Sequence, residues 1–159
     1  MGVTGESTAV WASSTTDSRA LQKSSGTDRI AACWYAFDQF TIDVDLTDGL
    51  AHEVGLYVVD WDSTTRSERI DVVDAATGAT LDSRTISSFH DGVYLEWELR
   101  GHVEFRVTCL AGANAVVSGV FLDAPTGALR DAAATWTLYD GSSPVLDFNA
   151  AGTQTARYL

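Results

Sequence analysis

Apolar and polar residues alternate with period two through most of the stretch from Arg29 to Asp123. Phe40, Ile42, Val44 and Leu46 fall on one face of an extended segment, and Thr41, Asp43 and Asp45 fall on the other. Val93, Leu95, Trp97 and Leu99 alternate in the same way against Tyr94, Glu96 and Glu98, and Val103 to Val107 repeats the pattern. The segment His52 to Trp61 directs Val54, Leu56 and Val58 inward, and Ile30 to Ala36 is apolar on both faces, as in a central strand. Glu68 to Val73 and Thr80 to Ile86 flank Asp74-Ala-Ala-Thr-Gly78, a hairpin signal. Asn114 to Leu122 closes the series.

Regularly spaced short strands with turn signals predict an antiparallel β-sandwich or barrel. No connection is long enough for the crossover helices of a parallel α/β sheet. Upstream, Ala9-Val10-Trp11 marks a short strand, and the pattern over Ser18 to Lys23 fits a helical turn or a strand equally well. Downstream, Ala124-Pro125-Thr126-Gly127 reads as a linker. Ala128 to Ala134 reads as a helical turn, followed by strand candidates at Thr135 to Tyr139, Val145 to Phe148 and Thr155 to Tyr158. The expected organisation is a sandwich over 1–123 and a linker with a strand-rich extension over 124–159.

Composition agrees with strands, since β-branched residues and glycine-containing turns dominate. The formal net charge of −12 excludes the basic footprint that nucleic acid requires and disfavours an anionic membrane surface. Such a surface suits cations or neutral ligands. No run approaches the ~18 apolar residues of a membrane span, and the N-terminus lacks the basic start and apolar run of a signal peptide. Cys33 and Cys109 both lie in apolar strand segments. Two readings stand: buried reduced thiols, or one disulfide between strands of an exported protein.

Candidate chemistry concentrates in the loop Asp60-Trp-Asp-Ser-Thr-Thr-Arg-Ser67. Asp60, Asp62 and Asp123 have the hard oxygen donors that calcium takes, or they are loop carboxylates engaged in local capping. Asp62 and Arg66 are spaced to form a charge-assisted pair that pins the loop or orients sugar hydroxyls. Trp61 has the parity opposite to Val54, Leu56 and Val58. It is a candidate stacking platform for a pyranose ring, or else it packs against the loop. A second loop, Phe89-His-Asp-Gly-Val-Tyr94, adds His90 and Tyr94 as candidate ligand contacts. No nucleophile elbow accompanies its His–Asp pair, so a hydrolase reading is set aside. Trp34, Trp97 and Trp136 are expected in the core, and Glu96 and Glu98 on the solvated face of their strand.

Arg29-Ile-Ala-Ala-Cys-Trp-Tyr35, the Asp60-Trp-Asp62 loop with Arg66-Ser67, the Asp74–Gly78 hairpin and Ala113-Asn-Ala-Val-Val-Ser-Gly119 together resemble a module of large secreted and surface proteins of environmental bacteria. Such modules often lie beside carbohydrate-active domains. The resemblance covers roughly Trp11 to Asp123. It implies a jelly-roll sandwich similar to galactose-binding-like domains, an extracellular or cell-surface location, and glycan binding without catalysis. The module usually begins further upstream than this chain, and the tail after Asp123 is not part of its pattern. A sandwich lacking an edge strand would be completed by the tail or by a second copy.

The expectation is therefore a non-catalytic carbohydrate-binding module whose ligand meets Trp61, Asp62, Arg66, His90 and Tyr94, with calcium at Asp60, Asp62 and Asp123 as the cofactor the donor set allows. The alternative is a structural subunit of a surface layer or filament, a homo-oligomer assembled by strand exchange.

Overall fold

The computed structural model describes residues 1–125 and, beyond them, the strand segments Trp136–Tyr139, Pro144–Phe148 and Gln154–Thr155, with side chains described through Asp123. The described residues form strands and turns without a helix, so none is long and apolar enough to cross a membrane.

Twelve strands precede residue 126: β1 (Gly2–Thr4), β2 (Ser7–Thr15), β3 (Leu21–Gln22), β4 (Arg29–Ala36), β5 (Gln39–Leu46), β6 (His52–Val58), β7 (Ser67–Asp74), β8 (Thr80–Ser87), β9 (Val93–Leu99), β10 (Gly101–Ala111), β11 (Ala115–Val117) and β12 (Gly119–Pro125). One layer has the order β1-β5-β10-β7-β8. The other joins β2-β4-β11, with β3 also on β4, to β12-β6-β9. β11 and β12 are one run of chain that changes neighbour at Ser118, whose N–H donates to the Tyr57 carbonyl at 2.8 Å. All pairings are antiparallel.

From β4 onward the chain mostly crosses between layers at each turn, and only β7–β8 and β11–β12 stay within one. That alternation produces the jelly-roll-like sandwich the sequence predicts. It also explains the period-two pattern, since each strand has one face on the shared interior. Ile42 and Val44 of β5, Ile70 and Val72 of β7, and Val103, Phe105 and Val107 of β10 meet Val54, Leu56 and Val58 of β6, Leu95 and Trp97 of β9 and Val120 of β12 in one core. Full burial of side chains of this size stabilises by ~1.5–3 kcal/mol each relative to exposure. Trp34 and Trp97 are buried as expected, and Trp136 lies outside the residues whose side chains are described.

Four details differ from the sequence reading. β6 ends at Val58, and Val59 and Asp60 continue into a buried turn in which the Asp60 N–H donates to the Phe89 carbonyl at 3.0 Å. The ambiguous Ser18–Lys23 contains a two-residue strand, Leu21–Gln22, paired with β4. The linker predicted from Ala124 begins inside β12, which continues to Pro125. The N-terminal stretch, where one short strand at Ala9-Val10-Trp11 is expected, holds two, β1 along β5 and β2 along β4. In the extension, Trp136–Tyr139 (β13), Pro144–Phe148 (β14) and Gln154–Thr155 (β15) pair as a meander. The helical turn expected over 128–134 lies outside the described residues.

One contact positions the outer face of β6 and β9. Gly92 turns the chain into β9 at φ +83°, and a Cβ there would lie 2.0 Å from the Tyr57 hydroxyl. That hydroxyl donates to the Arg19 carbonyl at 2.7 Å, and the Tyr57 ring packs on Tyr94 with centroids 4.6 Å apart. Gly92→Ala therefore combines a left-handed strain of ~1–3 kcal/mol with overpacking of similar size. Gly78, at φ +73° with nothing near its absent Cβ, carries the strain alone. Urea denaturation should show Gly92→Ala losing clearly more stability than Gly78→Ala. Equal losses would deny the close approach of Tyr57.

Candidate functional site

The loop between β6 and β7 is built around a buried guanidinium. Asp60 follows the inward parity of Val54, Leu56 and Val58, and Arg66 precedes Glu68, Ile70 and Val72 at the same parity on β7. Both are consequently driven under the sheet ends, where Asp60 is 1 % and Arg66 4 % exposed. Arg66 Nη1 donates to Asp60 Oδ1, and also to Asp62 Oδ1 at 2.6 Å. Its Nε donates to Asn114 Oδ1 at 2.8 Å, which ties the loop to the turn before β11. The Arg66 backbone N–H and the Ser63 hydroxyl donate to Asp60 Oδ2. Gly112, at φ +87°, lets the neighbouring turn close on Arg66, since a Cβ there would lie 2.9 Å from the Arg66 Cα.

Burial opposes the charge on Arg66, but its bonds to Asp62 and Asp60 outweigh that and hold its pKa above the ordinary value. Burial likewise pushes Asp62 up, and the Arg66 bond and charge turn the net shift downward. The Asp62–Arg66 pair that the spacing predicts is present.

His90 and Trp61 belong to the same latch. His90 Nδ1 lies 2.8 Å from the carbonyls of both Asp60 and Ser63, and Nε2 lies 3.0 Å from Arg19 Nη1. With carbonyls on one side and a guanidinium on the other, the partners call for the Nδ1–H tautomer. Arg19, paired with Asp17 at 2.8 Å, also stacks over Trp61 at 4.5 Å from the ring centroid. The half-buried indole thus has one face covered by the protein's own cation. Of the five residues assigned to ligand, Trp61, Asp62, Arg66 and His90 come together; Arg66 is buried among its partners, His90 is bonded to carbonyls and Arg19, and one face of Trp61 is covered by Arg19, while Asp62 stays half exposed.

The proposed cation ligands do not converge. Asp123 lies at the opposite end of β6, where its carbonyl meets His52 Nδ1 at 2.9 Å, whereas Asp60 follows the far end of the same strand. Between Asp60 and Asp62 the Arg66 guanidinium stands where a metal ion would have to be. No group of three or more His, Cys, Asp or Glu side chains among the described residues is placed to hold one. Cys33 and Cys109 are separate free thiols, and burial pushes Cys33 up to about 12.

Tyr94 lies elsewhere, on the outward face of β12-β6-β9. The register sets Phe121, Gly55 and Glu96 in one row, with Tyr57 and Tyr94 in the row on one side of it and Glu53 opposite Glu98 in the row on the other side. Tyr94 is 55 % exposed, and its ring centroid is 5.5 Å from that of Phe121. Gly55 leaves a gap between these side chains, giving a recess of about 190 Å³ lined by Glu53, Gly55, Tyr94, Glu96 and Phe121. This is below the ~300–1,000 Å³ of pockets that enclose a drug-sized ligand, so it takes one ring or one side chain. The sequence reading placed Glu96 outward but missed the recess. Its signal was Gly55, a residue without a side chain in the middle of an apolar strand, which often marks close approach by another group.

No protein-family model matches the chain, and no curated protein matches it. Among solved structures, the native structure of a family 35 carbohydrate binding module from Clostridium thermocellum is similar with 13% identity and a TM-score of 0.35, over 72% of this chain and 87% of that one. A likeness of that degree carries no functional argument.

Beneath the latch, Glu68 is fully buried. Its Oε2 accepts from the Val116 N–H at 2.8 Å, and Oε1 has no protein partner. Desolvation pushes it up to about 8, against the smaller opposing effects of that hydrogen bond and of Arg66. Between the unfolded value of 4.5 and about 8 the unfolded chain loses its proton while the folded one keeps it. Stability is therefore undiminished below pH 4.5 and declines as pH rises toward 8, as far as this group is concerned. Glu68→Gln should remove that decline, so the variant's thermal midpoint should gain on wild type as pH rises. Parallel curves for the two proteins would show that Glu68 folds in as a charged group.

Proposed function

We propose that this chain is a non-catalytic carbohydrate-binding module that takes its ligand on the outward face of β12-β6-β9. The observation that carries the reading is the recess over Gly55, with the Tyr94 and Phe121 rings beside the Glu53 and Glu96 carboxylates. A pyranose has an apolar C–H face and a rim of hydroxyls. Exposed aromatic rings suit the face, and carboxylates accept from the rim. The site is shallow and solvated, so modest affinity is expected. Glycans outside the cell are the natural partner class, and an extracellular or cell-surface location goes with the reading.

Support for a binding role without catalysis comes from where the perturbed carboxyl lies. Glycoside hydrolysis uses two carboxyl groups at one bond, one of them with a raised pKa. The carboxyl that burial pushes upward, Glu68, is sealed in the interior and away from the recess.

A glycan array tests the reading. Gly55 has an ordinary backbone conformation, and a Cβ there would make only normal contacts at 3.5 Å and beyond. Gly55→Val should therefore fold while filling the recess. It and Tyr94→Ala should each lower glycan binding about tenfold or more, the loss of one well-placed contact of ~1.4 kcal/mol. Trp61→Ala should lower the thermal midpoint and leave binding by the folded fraction intact. Binding lost with Trp61→Ala and kept with Gly55→Val would return the site to the loop rim.

A further inference from the structure

The recess carries a chemical bias that glycan binding in general does not need. The residues around it that carry polar groups are two acids, Glu53 and Glu96, and Tyr94. Glu98 stands opposite Glu53 across β6 and β9. Among the described residues, two guanidiniums that come near this face have other partners. Arg29, whose charge reaches Tyr94 and Tyr57, donates to the Ala20 carbonyl at 2.8 Å. Arg84 is paired with Asp82, stacks on the buried Trp97, and touches the backbone carbonyl of Glu96 rather than its carboxylate. Neither guanidinium lines the recess. A neutral sugar would leave its carboxylates to water. An anionic sugar would be repelled by them and by a chain of net charge −12.

We propose that the recess selects sugars bearing a free amine, with hexosamine units of a deacetylated amino-polysaccharide as the ligand class. This rests on the glycan-binding reading and deepens it. The C–H face of the ring lies on Tyr94, the ammonium group donates to Glu96 and Glu53, and the exposed Tyr94 ring with Phe121 beside it adds cation–π attraction. Gly55 is what allows the approach. A side chain there would stand between Phe121 and Glu96, the positions its Cβ would meet at 3.5 and 3.9 Å. An N-acetylated sugar loses both the charge and the compact donor, and its acetyl group must fit a recess of about 190 Å³.

The experiment is calorimetric titration of the full chain in mildly acidic buffer with three oligosaccharides of equal length: a glucosamine tetramer, its N-acetylated counterpart and a neutral glucose tetramer. A short oligolysine serves as a polycation without a sugar face. The glucosamine tetramer should bind about tenfold or more tighter than the other three. Glu53→Gln/Glu96→Gln should bring it down to the level of the neutral tetramer. Asp45→Asn/Glu6→Gln, an equal change of net charge away from the recess, should not.

Equal binding of glucosamine, N-acetylated and neutral tetramers, all abolished by Gly55→Val, would overturn amine selection and leave the glycan reading standing. Equal binding of oligolysine, or equal losses in the two charge-altered variants, would reduce the effect to non-specific attraction by an acidic protein and overturn the proposal. Failure of every oligosaccharide to bind, or binding untouched by Gly55→Val, would overturn the glycan reading itself.

Discussion

The Arg66 guanidinium is the interaction on which the arrangement of this chain's loops depends. It lies almost wholly out of water, and its partners come from two different connections: Asp60 and Asp62 from its own loop, Asn114 from the turn before β11. A charge so placed is tolerated only when its donors are met, and removing one partner of such a pair commonly costs ~3–5 kcal/mol. Replacement of the whole set by apolar residues of equal volume is often neutral, so the pair is not primarily a source of stability. Its effect is on specificity of geometry. With Asp60 fixed, its carbonyl holds His90, His90 holds Arg19, and Arg19 covers Trp61 and receives the Tyr57 hydroxyl. The chain of contacts ends at Tyr57, on which Tyr94 stacks.

The sandwich was legible in the sequence because its dominant force acts with the strand's own period. Phe40, Ile42, Val44 and Leu46 must all face one way, and a one-residue slip would expose them all. Where a strand is apolar on both faces, as at Val58-Val59, periodicity gives no end point, and β6 ends at Val58 rather than at Trp61. The site was legible only in part. Asp60, Arg66 and Glu68 share the parity of buried neighbours, a signal that they point inward, but charge on a residue ordinarily argues for solvent, and parity alone does not override it. Arg19 and Asn114 contribute from distant sequence, and a local pattern has no means of pairing them with His90 or Arg66. Asp60, Asp62 and Asp123 do not converge for the same reason, since Asp123 is close to Asp60 in chemistry and a strand's length away in space.

The latch also bears on where a ligand can act. Polar groups already satisfied by one another gain little from a ligand, because each new hydrogen bond must replace an existing one of similar strength. The rim loops meet that description. The outward face of β12-β6-β9 does not, since two carboxylates and an exposed tyrosine stand on strands whose backbone is fixed by the ladder. Groups on strands are held more precisely than groups on loops, and precision is what a shallow site needs to discriminate between sugars.

The same residues address the edges of the fold. Among the described residues β9 pairs on one side only, with β6, and β8 pairs only with β7. An open edge invites another strand unless charge or irregularity blunts it. β9 presents Glu96 and Glu98, and β8 carries the Asp82–Arg84 pair with a register shift between Val72 and Val73 of its neighbour. Two copies meeting along β9 would bring these glutamates together, and like charges in adjacent strands oppose pairing. Carboxylates on the sheet face thus also blunt its open margin.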